Sequence, residues 1–181
     1  MLITIDGLVV SRREFGETSC FIDILTKEYG VIEVAAKGIR KLNSPIGAST
    51  GLFSYSTFCL NKSNLRYTIN SAKCKRGFHG LSSDLSALAL ASYFAELVRF
   101  TQLPEQSSGD VLKLMLIALT ELEHESPHAQ VKSAFEMGLI HSLGIMPPNL
   151  SPQNSEKHSE QYLLEHLGRG FKSLDYYNNL K

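Results

Sequence analysis

Between Val34 and Ser83 the sequence contains neither Asp nor Glu. A second absence is any apolar run near the roughly 18 residues that a membrane span needs. The N-terminus, Met1 to Val10, is apolar but has no basic leader and is interrupted by Asp6. Neither a signal peptide nor a membrane anchor is predicted, and the expected compartment is the cytoplasm. Cysteine is scarce. Cys20, Cys59 and Cys74 are odd in number and far apart, which argues against a disulfide framework, so each reads as a small buried hydrophobe. A phosphate-binding loop, a GxSxG turn, an HExxH helix and a paired-cysteine metal site are all missing. His124 and His128 are four apart, but Pro127 between them should start a new helix, so they read as surface residues. Asp6, Asp23 and Glu33 are scattered strand acids. The chain is therefore expected to be no enzyme and to need no cofactor and no metal.

What the acid-free stretch does hold is eight cations: Lys37, Arg40, Lys41, Lys62, Arg66, Lys73, Lys75 and Arg76. Phe53, Tyr55, Phe58, Tyr67 and Phe78 are interleaved with them. Cations neutralise phosphates and flat rings stack on bases, so the mixture suits a strand of nucleic acid. It equally describes an ordinary sheet with core aromatics and a solvated basic face. The formal net charge of the whole chain is +0, yet residues 1–80 carry net +5 and residues 81–181 net −5. A sign change of this size suggests two units with different partners.

The first eighty residues read as strands. Leu2 to Val10 is rich in β-branched residues, and Cys20 to Thr26 and Val31 to Ala36 form a hairpin across Lys27-Glu28-Tyr29-Gly30. Lys37 to Gly51, with four residues of Gly or Pro, marks a long loop. Leu52 to Leu60 and Leu65 to Cys74 are two more strands, joined at Asn61-Lys62-Ser63-Asn64. Five short strands in this length fit a small closed barrel, for which the OB-fold is the common choice. The expected class is α+β multidomain, with a five-stranded OB-fold barrel over 1–80 and an all-α helical domain over 81–181.

The second half changes period. Ser82 or Ser83 caps a predicted helix from Asp84 to about Leu103, apolar nearly all round and so central. A second runs from near Ser108 to about Glu123. A third has Ser126 as its cap, Pro127 in its first turn and Gly144 past its end. Residues 147–158 read as a linker, Ser159 to Leu167 as a short helix, and the last dozen residues give little signal.

Several runs together resemble the N-terminal signature of the DNA repair and recombination mediator family RecO. They are Gly7 to Val10, Arg12 to Thr18, Leu25 to Gly30 and Ala36 to Lys41. Ala87 to Leu97, Ala134 to Glu136 and Leu143 to Pro147 are also similar to that family, so the resemblance covers roughly residues 1–148. It implies an N-terminal OB-fold and a C-terminal helical domain. It also implies binding of single- and double-stranded DNA, annealing of complementary strands, and work with RecR and single-stranded-DNA-binding protein to place RecA on coated strands. Many members carry a four-cysteine zinc site after the segment matching Gly144 to Pro147. Residues 75–181 hold no cysteine, so zinc is not carried over, and Ser151 to Lys181 show little family pattern.

The residues expected to meet nucleic acid are Arg12, Arg13, Lys37, Arg40, Lys41, Lys62, Arg66, Lys73, Lys75 and Arg76. Gly38 lets the backbone bend tightly, so that Lys37, Arg40 and Lys41 converge. Arg12 and Arg13 follow the first strand, but Glu14 and Glu17 beside them offer an alternative pairing. Two other readings stay open: a protein-docking adaptor whose basic barrel meets an acidic partner, and an RNA-binding OB protein, since stacking alone does not separate RNA from DNA.

Overall fold

The computed structural model describes residues 1–39, 44–64 and 66–180. Five strands come first: β1 Leu2–Phe15, β2 Ser19–Thr26, β3 Val31–Ala36, β4 Ser54–Ser63 and β5 Arg66–Gly77. They close a barrel in the order β1-β2-β3-β5-β4. All neighbours are antiparallel except β3 and β5, which meet in parallel at Val34↔Tyr67 and Ala35↔Thr68. This is the OB-fold expected from the strand pattern. Ile5, Val9, Ile22, Ile24, Ile32, Val34, Phe58, Leu60 and Tyr67 fill its interior.

β1 is five residues longer than the apolar pattern indicates. Past Val10 it loses β4 and pairs with β2 alone, through Arg12↔Ile22 and Phe15↔Ser19. Its polar residues are exposed there, so hydrophobicity does not reveal a strand held by its ladder. A bulge between Val9 and Ser11 marks the change of partners. Gly7 sits where both neighbours are paired, at Gly7↔Thr26 and Gly7↔Ser56. A Cβ at this position would lie 2.3 Å from Ile24 Cγ2, so the strands can come this close only around glycine.

The β2–β3 turn is tightly bonded. The Thr26 amide and hydroxyl both donate to the Gly30 carbonyl, at 2.8 and 2.9 Å, and Gly30 takes φ +62°. Residues 98–112 belong to the same compact unit as residues 1–78. They strap the turn: the Glu105 amide donates to the Tyr29 carbonyl at 2.9 Å and the Ser108 amide to the Lys27 carbonyl at 2.8 Å. Arg99 Nε reaches the nearly buried Asp23 at 2.7 Å.

The second unit comprises residues 79–97 and 113–181. The helices of the chain are α1 Leu85–Thr101, α2 Gly109–Glu123, α3 His128–Ser142, α4 Ser155–Leu167 and α5 Lys172–Asn179. None among the described residues is long and apolar enough to cross a membrane. Phe94 and Phe135 stack at 4.0 Å, and Tyr93, Leu163, Phe171 and Tyr177 are buried as well. Buried Glu136 accepts from Lys132 Nζ at 2.8 Å, Tyr93 Oη at 2.9 Å and Ser159 Oγ at 2.6 Å. A charge taken out of water needs this many partners.

The helix ends differ from the sequence reading. Asp84, not Ser82 or Ser83, caps α1, because its Oδ1 accepts from the Ser86 and Ala87 amides at 2.8 and 3.1 Å. The two serines bond instead to the His79 and Gly80 carbonyls of the preceding 3-10 turn. Ser126 does not cap α3 either, since its hydroxyl donates to Glu121. α4 begins at Ser155, inside the segment read as a linker, and α5 forms where the sequence gives little signal.

Candidate nucleic-acid interface

The acid-free stretch does not stay acid-free in space. Lys75 Nζ donates to Asp6 Oδ2 of β1 at 2.6 Å. This bond, and one from the Thr57 hydroxyl, hold the Asp6 carboxyl below its usual pKa, while Asp6 raises that of Lys75. Lys62 is bound by both oxygens of Glu105, at 3.0 and 3.1 Å, and the Tyr67 hydroxyl donates to the same carboxylate. Those bonds, Tyr67 first, keep Glu105 below the ordinary carboxylate range. Arg13 pairs with Glu33 and lies 3.6 Å from Asp23. The scattered strand acids Asp6, Asp23 and Glu33 are thus all neutralised by barrel cations or by Arg99 of the strap.

Aromatic rings take up part of the positive charge as well. Lys62 lies 5.2 Å from the ring centres of both Tyr29 and Tyr67, Lys75 is 5.6 Å from Tyr55, and the Arg76 guanidinium is 4.4 Å from Phe78. The interleaving of cations and rings in the sequence thus becomes direct cation–π contact. Arg12, Lys37, Arg66 and Lys73 are exposed and have no ion-pair or ring partner among the described residues. Arg40 and Lys41 lie outside the described residues.

The cations do not form one cluster. Lys73 and Lys75 are two apart on β5 and share a face, on which the register aligns Asp6, Thr57 and Lys73 across three strands. A groove of about 640 Å³ runs along Asp6, Tyr29, Tyr55, Thr57, Lys27 and Lys75. Arg66 stands at the far end of β5. Arg13 belongs to a second face, where the rung Arg13↔Phe21↔Ala35 crosses β1, β2 and β3. A hollow of about 290 Å³ opens at the end of that face, lined by Phe15, Phe21, Ala35 and Lys37 among others. Gly38 at its rim takes φ +68°, the bend expected for that loop.

Sequence reasoning missed Phe15, Phe21, Tyr29 and Glu105. Phe15 and Phe21 stand in strands whose alternation is broken by polar or buried neighbours, so neither marks itself as exposed. Glu105 follows Pro104 in a loop with no pattern, and only the fold brings it to Lys62.

Residues 1–78 match the family model described as recombination protein O N terminal, and residues 82–150 match recombination protein O C terminal. The chain belongs to the recombination protein O family. Among its relatives is the DNA repair protein RecO of Alkaliphilus metalliredigens, 34% identical over 81% of this chain and 60% of that protein. The DNA repair protein RecO of Desulfitobacterium hafniense is 32% identical over 78% of this chain and 52% of its own length. That of Bacillus subtilis is 27% identical over 81% and 58%. The chain thus spans between half and two thirds of these RecO proteins. The family match ends at residue 150, just before α4 and α5.

Proposed function

We propose that this chain is a DNA-binding mediator of recombination and repair that makes and breaks no covalent bond. Its barrel, residues 1–80, binds single- and double-stranded DNA. The helical part, residues 81–181, docks proteins. Annealing of complementary strands, and cooperation with RecR and single-stranded-DNA-binding protein in placing RecA, complete the reading, as the resemblance to the RecO family implies. The observation that carries it is the set Arg12, Lys37, Arg66 and Lys73, four exposed barrel cations with no partner among the described residues. Cations left unneutralised on an OB-fold suit a polyanionic ligand.

Salt dependence tests this. With about four phosphate contacts at roughly −0.7 each, log affinity for single strands should fall against log salt with a slope near −3. Changing Lys37, Arg40 and Lys41 together to Ala should weaken binding and flatten the slope. An unchanged slope in that variant would remove the loop from the interface. Wild-type affinity that ignores salt would overturn the reading.

A further inference from the structure

We propose that the hollow at the end of β1, β2 and β3 receives one unstacked nucleobase, so that this barrel face selects single strands over duplex. The inference rests on the DNA reading above and deepens it. Phe15 is 59% exposed, the most open of the phenylalanines. Its ring meets Phe21 at 4.9 Å between centres and 51°, so the pair forms a tilted wall with one open face. Thr18, Ser19, Cys20, Ala35 and Gly38 complete a lining of small residues. That shape leaves space of about 290 Å³ for a flat, base-sized group.

The charge at the site indicates the occupant. Lys37 is the one charged residue among the described lining residues, and it is exposed and unpaired among them. An apolar peptide side chain would fill the hollow but leave Lys37 unused. A nucleotide uses both features, with its base against Phe15 and its phosphate at the ammonium. A base within a duplex already has stacked neighbours on both faces, so it enters only at the cost of unpairing. The opposite groove differs in kind. One of its two lysines, Lys75, is tied to Asp6 and lies beside Tyr55. Its rings Tyr29 and Tyr55 are half-buried and each already lies beside a lysine, Lys62 or Lys75, so although Lys27 in the same groove is unpaired among the described residues, no ring there is as open as Phe15.

The test uses the full chain and end-labelled oligonucleotides of one length, read by fluorescence anisotropy. The probes are a thymidine strand, a uridine strand, an abasic strand with the same phosphates, and a duplex. Wild type should bind the thymidine strand more tightly than the abasic one. Phe15→Ala should lose about 5- to 100-fold on the thymidine and uridine strands, the range for one stacked base, and stay within about twofold on the abasic strand and duplex. Phe15→Tyr, which keeps the ring, should restore binding. Lys37→Ala should weaken the thymidine and abasic strands alike. Because Phe15 is exposed, its replacement leaves the core intact, and circular dichroism checks this. Equal wild-type affinity for thymidine and abasic strands, or equal Phe15→Ala losses on both, would overturn the base pocket while leaving DNA binding standing. A loss confined to the uridine strand would overturn it in favour of RNA. A wild-type chain that binds none of the four probes would overturn the DNA reading itself.

Discussion

At the scale of single residues, the central fact is that sequence neighbours do not decide how a charge is used. Lys75 lies in a stretch with no acid, yet it is bonded to Asp6 from 69 residues away. Asp6 therefore competes with any phosphate for that lysine. Asp6→Asn should free Lys75, tighten DNA binding several-fold at low salt and steepen the salt slope by up to about 0.7. The same substitution has a signature in stability. The folded-state pKa of Asp6 lies below its usual 3.8, so its contribution is present above that value and lost as pH falls through the folded pKa. Denaturant titrations from pH 2 to 6 should show a flatter acid limb for Asp6→Asn, and an unchanged limb would separate the ion pair from stability. The cation identities in the barrel are legible in the sequence, but their pairing is not. Asp6, Glu33 and Glu105 reach Lys75, Arg13 and Lys62 only through strand register and the strap.

Among the elements, periodicity located the strands and the helices α1 to α4, whereas their ends followed hydrogen bonds that periodicity does not encode. β1 continues past Val10 because β2 supplies a ladder, although its side chains there face water. α5 buries only Leu174 and Tyr177 within its eight residues, too few to register as an apolar stripe. The start of α1 is the clearest case. Three adjacent residues, Ser82, Ser83 and Asp84, are all good caps by type, and only backbone geometry selects one. Asp84→Ala should cost about 1 kcal/mol in thermal or urea unfolding. Ser82→Ala and Ser83→Ala should each stay within about 0.5 kcal/mol, as surface changes usually do. A serine variant as costly as Asp84→Ala would return the cap to the 3-10 turn.

For the whole molecule, the +5/−5 division predicts where DNA is attracted, but not every cation in the second half is a fair control. Arg99 holds Asp23, and Lys132 is buried against Glu136 and Glu160, so reversing either would disturb folding. Lys113, Lys157 and Lys172 are exposed in the helical unit and serve instead. Changing Lys37, Arg66 and Lys73 to Glu should cost at least about tenfold more DNA affinity than changing those three, with both variants folded by circular dichroism. Equal losses would spread the DNA surface over both units. The strap carries a different consequence, for the order of synthesis. A chain leaving the ribosome has all five strands once Gly77 has emerged, while Arg99, Glu105 and Ser108 still have to follow it out of the exit tunnel. At about 5–20 residues per second, the nascent barrel waits a few seconds with Asp23 lacking Arg99 and the β2–β3 turn unstrapped. Ribosome-bound chains halted so that Gly77 is outside the exit tunnel and Arg99 still within it should be cut by protease in that turn, and those halted with residue 112 well outside should resist.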